Sequence, residues 1–170
     1  DVVLRYLEDN PESFSLDGEN REATIFFSDV AGFTSISEKL EPRRLVEIIN
    51  SYLGPMSDII KAEGGCVNKF AGDGIMAFWG VPYPDPLHAA QACAGALAQQ
   101  GKIRELQSVF QEQYNIQLHV RMGLNSGIVS AGSMGSLDRR EYTVMGDVVN
   151  FAARLEPANK DYGTRILIGE

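Results

Sequence analysis

The chain has 170 residues, with 15 Lys and Arg against 23 Asp and Glu for a formal net charge of -8, and it is 44% hydrophobic and 22% charged. That length fits one domain with a substantial core, and no apolar run approaches the roughly 18 residues of a membrane helix. The acidic balance argues against general nucleic-acid binding through phosphate contacts, while an anionic small molecule would need metal ions and a few well-placed cations.

In chain order, residues 1–20 lack periodicity and carry Asn10-Pro11 and Asp17-Gly18, which reads as a lead-in helix fragment followed by a loop. A first strand is expected from Ala23 to Asp29, then one helical turn from Thr34 to Lys39. Pro42 opens a long helix whose apolar positions Leu45, Ile48, Ile49, Tyr52, Leu53, Met56, Ile59 and Ile60 recur at helical spacing. Pro55 should kink it near Gly54, and Gly64-Gly65 should end it. Strands at Cys66–Phe70 and Ile75–Phe78 flank the turn Ala71-Gly72-Asp73-Gly74. After an irregular, proline-rich loop, a second long helix is expected from Leu87 to Phe110. Leu118, Val120, Met122 and Leu124 alternate as a strand with one buried face. Asn125-Ser126-Gly127 reads as a turn into a strand at Ile128–Ala131, and Gly132–Arg140 as a polar loop. A strand at Glu141–Met145, a helix at Asp147–Leu155 and a strand at Arg165–Ile168 complete the chain. Strand, helix, strand, strand, helix, strand is the ferredoxin-like βαββαβ order, so the fold expected is α+β: an antiparallel sheet with helices on one face and further strands and a helix at its C-terminal end.

Cys66 and Cys93 imply neither a disulfide framework nor a zinc site and read as small buried hydrophobes in a reducing compartment. His88 and His119 read as ordinary residues. No signal-peptide pattern opens the sequence. The start at Asp1 and the stop at Glu170 read as an excised domain, cytoplasmic, with any membrane attachment lying in sequence not shown.

The chemistry centres on Asp29, which ends an apolar strand and precedes Gly32, and on Asp73 between two glycines. In the expected topology their strands lie side by side. Two carboxylates with no His or Cys near them in sequence favour a hard cation, Mg²⁺ best, and two such ions would suit phosphoryl transfer. Each also has a plainer reading: Asp29 as a helix cap, Asp73 as a turn residue. Asn150 and Arg154 stand four apart on one helix face, a clamp for ribose and phosphate oxygens or simply a solvated face. Lys69 ends a strand, Thr143 lies within one, and Arg139-Arg140 form a small basic spot; all three have structural readings too.

Phe27-Ser28-Asp29-Val30-Ala31-Gly32-Phe33-Thr34, then Asn68-Lys69-Phe70-Ala71-Gly72-Asp73, then Tyr142-Thr143-Val144-Met145-Gly146-Asp147-Val148-Val149-Asn150 with Arg154 together resemble the class III adenylyl/guanylyl cyclase catalytic domain. The resemblance runs from about Arg21 to the end. It divides the chain into a lead-in segment, 1–20, and a catalytic domain, 21–170, that would continue past Glu170 with a further basic residue for the phosphates. It implies the class III cyclase fold, a head-to-tail homodimer and two Mg²⁺ (or Mn²⁺) ions per site. Asp29 and Asp73 match the metal-binding aspartates, and the carbonyl of Val30 a further metal ligand. Asn150 and Arg154 match the residues that orient the ribose and stabilise the transition-state phosphate, and Lys69 and Thr143 the pair that reads the purine. Arg140 or Arg139 is a candidate phosphate contact.

Lysine offers donors and a threonine hydroxyl can accept, which complements N1 and the 6-amino group of adenine, whereas guanine reverses both. ATP is therefore the expected substrate, with guanylyl cyclase and a silent nucleotide-binding or dimerisation module as alternatives. Many family members carry aspartate at the position of Thr143. The threonine is similar to a bacterial subgroup that includes bicarbonate-stimulated cyclases, so bicarbonate enters as a candidate regulator beside an expected upstream regulatory domain.

Overall fold

The computed structural model describes residues 2–10, 18–38, 40–136 and 140–170. The elements run α1 (Val2–Asp9), β1 (Glu19–Val30), α2 (Phe33–Ser37), α3 (Pro42–Ala62), β2 (Cys66–Ala71), β3 (Gly74–Trp79), α4 (His88–Tyr114), β4 (Val120–Gly135), β5 (Arg140–Met145), α5 (Asp147–Tyr162) and β6 (Ile166–Ile168). The sheet order is β2-β3-β1-β4-β5, with β6 parallel to β4. The first four strands thus keep the ferredoxin-like arrangement, and β5 is added at the outer edge of β4.

Alternation along β1 decides which side of the sheet each residue serves. Phe26 and Val30 join Ile75, Ala77, Trp79, Val120, Met122 and Leu124 in an apolar cluster closed by Tyr52, Met56 and Ile60 of α3 and Ala92, Ala96 and Ile103 of α4. Full burial of each large side chain there contributes about 1.5–3 kcal/mol. Ala23 and Ile25 point the other way, toward Met76, Phe78, Val129, Val144 and Ala152 of α5, with Val3 of α1 packed alongside. Helices therefore occupy both faces rather than one, because α5 has its own apolar stripe.

Three further expectations are corrected. Asn125-Ser126-Gly127 does not turn: β4 pairs with β1 in unbroken register from Glu19↔Ala131 to Val30↔Val120. The polar side chains are satisfied in place, Ser126 Oγ lying 2.7 Å from Thr24 Oγ1 and Asn125 Nδ2 donating to the Val148 carbonyl at 3.1 Å. At Gly127, φ is +156° and an added Cβ would lie 2.8 Å from Val148 Cγ2, so the glycine admits the start of α5 rather than a turn. Second, Gly132–Arg140 is not all loop. Gly132 pairs with Thr143 and Gly135 with Arg140, a partner overriding weak intrinsic strand preference; residues 137–139 and Lys39 lie outside the described residues. Third, α5 continues through Pro157 to Tyr162. Beyond Pro157 the helix is fastened by the fully buried Asn159, whose two Nδ2 hydrogens are shared among the carbonyls of Met122 at 2.9 Å, Leu155 at 3.1 Å and Glu156 at 2.9 Å.

The long helix α3 runs through Pro55 as one element. His88 is buried, with Nδ1 2.7 Å from Thr24 Oγ1, a structural placement. Cys66 is buried, Cys93 half-buried, and both are free. No helix among the described residues is long and apolar enough to cross a membrane.

Asn159 is where α5 is fastened to β4, so Asn159→Ala should lower unfolding free energy by roughly 1–3 kcal/mol, the range for stranding a buried polar group. Urea denaturation measures it, and an unchanged midpoint would contradict the assignment.

Candidate active site

The two aspartates meet where β1 ends beside the β2–β3 hairpin. β2 and β3 close through Ala71↔Gly74, leaving Gly72 and Asp73 as a two-residue turn with φ +63° at Gly72, the glycine position of a type II′ hairpin. The turn projects Asp73 across to β1, where the backbone N–H of Val30 donates to Asp73 Oδ2 at 2.9 Å. Gly74 sits in the narrow gap beneath: an added Cβ there would lie 3.1 Å from the Ser28 carbonyl and 3.6 Å from Asp29 Oδ1. Asp29 does not cap the following helix, since the N-cap of α2 is Gly32 and no side chain bonds there.

Asp29 has its carboxyl pushed up to about 7. Partial burial is the largest cause, followed by the hydrogen bond with Asp73 and the Asp73 charge, with a smaller push from Glu156. Arg121 works against this. It lies opposite Asp29 in the β1–β4 register, its Nη2 3.7 Å from Asp29 Oδ2 and its Nε 2.8 Å from Glu156 Oε1 on α5. Burial also raises the carboxyl of Glu156, again with Arg121 opposing. Asp29 and Glu156 thus share one guanidinium, and the deficit of positive charge falls at Asp29, which also faces Asp73. Below them the buried phenol of Tyr52 is pushed up, first by burial and then by the charges of Asp73 and Asp29.

A divalent cation suits this arrangement, because it would relieve the like-charge contact that raises Asp29. Among the described residues no cluster of three or more His, Cys, Asp or Glu is arranged to hold a metal. Two carboxylates alone would leave the rest of a cation's shell to other oxygens such as water and substrate, the kind of shell Mg²⁺ accepts.

The remaining candidates form a second group. β2 and β5 are opposite ends of the strand order, yet the sheet curls until they touch: Asn68 Nδ2 donates to the Tyr142 carbonyl at 2.9 Å, and Thr143 Oγ1 donates to Asn68 Oδ1 at 3.1 Å. Lys69 is exposed, its Nζ 3.9 Å from Glu141 Oε1. Lys69 and Thr143 are thereby brought to one place. Asn150 and Arg154 are exposed on the first turns of α5. The Arg154 guanidinium lies 5.6 Å from the centroid of the Phe151 ring, and neither side chain makes a hydrogen bond or ion pair to the aspartates. Arg140 opens β5 opposite Gly135; its side chain, like all of Arg139, lies outside the described residues.

Sequence reasoning missed Arg121, Glu156, Asn68 and Glu141. A single charged residue on a strand with no other charge was the available signal for Arg121. Nothing local marked Glu156, whose role comes from the packing of α5 against β4.

Residues 17–168 match the family described as the Adenylate and Guanylate cyclase catalytic domain, and the chain belongs to that family. Adenylate cyclase 1 of Rhizobium meliloti (strain 1021) is 37% identical over 147 residues, 86% of this chain and 22% of that protein. The adenylate cyclase of Anabaena cylindrica is 38% identical over 151 residues, 88% of this chain and 30% of that protein. Among solved structures, the adenylyl cyclase CyaB from P. aeruginosa is 37% identical with a TM-score of 0.81, covering 84% of this chain and 74% of that one. The guanylyl cyclase Cya2 is also 37% identical, with a TM-score of 0.80 over 84% of this chain and 72% of that one. The chain thus spans less than a third of the length of these two curated relatives.

The Asp29 carboxyl, ordinarily near 3.8 and here about 7, binds its proton more tightly in the folded than in the unfolded chain, so stability falls as pH rises through that window. In metal-free protein at pH 8, Asp29→Asn should raise the melting temperature above wild type, the gap closing as pH falls below the ordinary Asp29 value of 3.8, where Asp29 is protonated in both the folded and the unfolded chain. Mg²⁺ or Mn²⁺ should raise the wild-type value and leave the variant unmoved. Circular dichroism reads both, and a variant no more stable than wild type at pH 8 would contradict the charge conflict.

Proposed function

We propose that the chain is the catalytic domain of an adenylyl cyclase that converts ATP to 3′,5′-cyclic AMP and pyrophosphate at sites formed between two copies. The observation that carries this reading is the carboxylate pair of Asp29 and Asp73, held together by the Val30 N–H with too little positive charge nearby.

Asp29, Asp73 and the Val30 carbonyl would hold two Mg²⁺ or Mn²⁺ ions, which when bound acidify the ribose 3′-hydroxyl and offset the triphosphate charge. As the 3′-hydroxyl proton passes to water, the new bond joins the 3′-oxygen to the α-phosphorus, and the bond from that phosphorus to the β-phosphate bridging oxygen breaks as pyrophosphate leaves. Asn150 fixes the ribose for in-line attack. Arg154 offsets charge growing on the α-phosphate oxygens, a preorganised electrostatic contribution. Arg140 would supply a phosphate contact. Lys69 and Thr143 receive the base, and since relatives of both kinds stand equally near, these two residues carry the choice of adenine over guanine.

Asn150 and Arg154 are exposed and have no hydrogen-bond or ion-pair partner among the described residues, which supports a site shared between copies. Exposed Phe70 and Met145 flank Lys69 and Thr143 and give that contact apolar surface, 51% and 57% accessible in the single chain. A symmetric dimer would present two complete sites, because one sequence holds both residue sets. The reading extends to a cytoplasmic location, to an upstream regulatory domain, and, on the strength of Thr143, to bicarbonate as an effector.

The test is cyclic nucleotide and pyrophosphate release from ATP or GTP, with Mg²⁺ and then Mn²⁺, over a range of protein concentrations. Cyclic AMP should dominate, with specific activity rising with concentration, and Asp29→Ala should lower turnover on the order of a thousandfold with its fold intact. Preferential cyclic GMP, no product from either nucleotide, or near-normal activity in the variant would overturn the reading.

A further inference from the structure

The hydroxyl of Thr143 is not free to point either way. A backbone carbonyl can only accept, so the amide nitrogen of Asn68 must be the end that faces the Tyr142 carbonyl at 2.9 Å. Asn68 Oδ1 is then the end that faces Thr143 at 3.1 Å. A carboxamide oxygen also only accepts, so the single hydroxyl proton of Thr143 is committed to Asn68. What Thr143 has left for a ligand is lone pairs.

The backbone is built to deliver that contact. β2 pairs with β3 through Val67↔Ala77 and then Lys69↔Met76, leaving Asn68 as the extra residue of a β-bulge. A bulge interrupts the alternation of side chains and re-aims the residues within it. Here two consecutive residues, Asn68 and Lys69, both reach β5, the first to Tyr142 and Thr143 and the second toward Glu141. Asn68 is half-buried, so water competes less for its amide than at an open edge.

We propose that Asn68 determines purine specificity at one remove: by taking the Thr143 proton it makes Thr143 an acceptor only, able to receive the 6-amino hydrogen of adenine and unable to donate to the 6-oxygen of guanine or hypoxanthine. The inference rests on Lys69 and Thr143 being the base-reading pair. Asn68 acts through Thr143 and is a positioning residue, not a group that touches the base.

The experiment compares kcat/KM for ATP and ITP, which differ at the 6-position and N1 without the 2-amino group of GTP. Wild type, Asn68→Ala, Asn68→Asp, Thr143→Ala and the Asn68→Ala/Thr143→Ala double variant are measured, with melting temperatures to establish folding. If turnover is too slow, the same ratios come from calorimetric binding of the two nucleotides. In Asn68→Ala the released hydroxyl can rotate and donate, so the ATP:ITP ratio should fall about fivefold to tenfold, the scale of one ordinary hydrogen bond. Asn68→Asp keeps an acceptor toward Thr143 and should hold the ratio within about twofold. In the Thr143→Ala background, Asn68→Ala should move the ratio no further. If Asn68→Ala melts early, Asn68→Leu, of similar volume and without an acceptor, carries the same expectation.

A wild type that prefers ATP, a Thr143→Ala variant that loses the preference and an Asn68→Ala variant that keeps it would overturn the role of Asn68 while leaving the pair standing. Loss of preference in Asn68→Asp equal to that in Asn68→Ala would overturn it as well. A wild type with no preference for ATP, or a Thr143→Ala variant with an unchanged ratio, would overturn the pair and Asn68 with it.

Discussion

One backbone N–H, that of Val30, holds the Asp73 carboxylate against the end of the strand that carries Asp29. Like charges do not stay together unless the surrounding structure fixes them, and here the constraint is distributed. The β1–β3 register from Thr24↔Trp79 to Ser28↔Ile75 sets the height of the hairpin, and Gly74 leaves the gap into which the Asp29 carboxylate fits. Arg121 and Glu156 tie the same spot to α5, which lies close on β4 because Gly123 has no Cβ; an added one would sit 2.6 Å from the Ala152 carbonyl. The result is a rigid acidic notch that lacks a full complement of positive charge, and that deficit is the physical basis for reading it as a cation site.

The second half of the reading depends on curvature. An antiparallel sheet that stayed flat would keep β2 and β5 far apart, with three strands between them. Twist and curl bring them together, and Asn68 clips the two edges with both ends of its amide. Lys69 and Thr143 are therefore brought near one another by a side chain rather than by strand pairing. Helix α5 serves both halves. Its inner face carries Ala152, Glu156 and Asn159 against β1 and β4, while Asn150 and Arg154 face outward.

Much of this was legible in the residues because the signals were local. The helical spacing from Leu45 to Ile60, the glycines around Asp73 and the alternation from Leu118 to Leu124 each name their element. So did the motif order that carries the family resemblance. What was not legible depended on partners distant in sequence. Asn125-Ser126-Gly127 has turn chemistry, and only a twelve-residue pairing with β1 holds it in a strand. The helix expected to end at Leu155 runs on to Tyr162, where the buried Asn159 reaches the Met122 carbonyl of β4. Arg121 and Glu156 belong to the site through packing alone, and Asn68 was hidden inside a quoted motif because a bulge, not its spacing, aims it.

The central claim is that one copy contributes the carboxylate pair and the other contributes Asn150, Arg154 and the base-reading residues. The most direct test mixes Asp29→Ala with Arg154→Ala, each inactive alone and each verified as folded and dimeric by sedimentation. Half of the dimers formed from an equal mixture are mixed, and each of those keeps one complete site of two, so cyclic AMP formation should return to about a quarter of the wild-type rate. A mixture that exchanges subunits and remains as inactive as its components would contradict a site shared in this way.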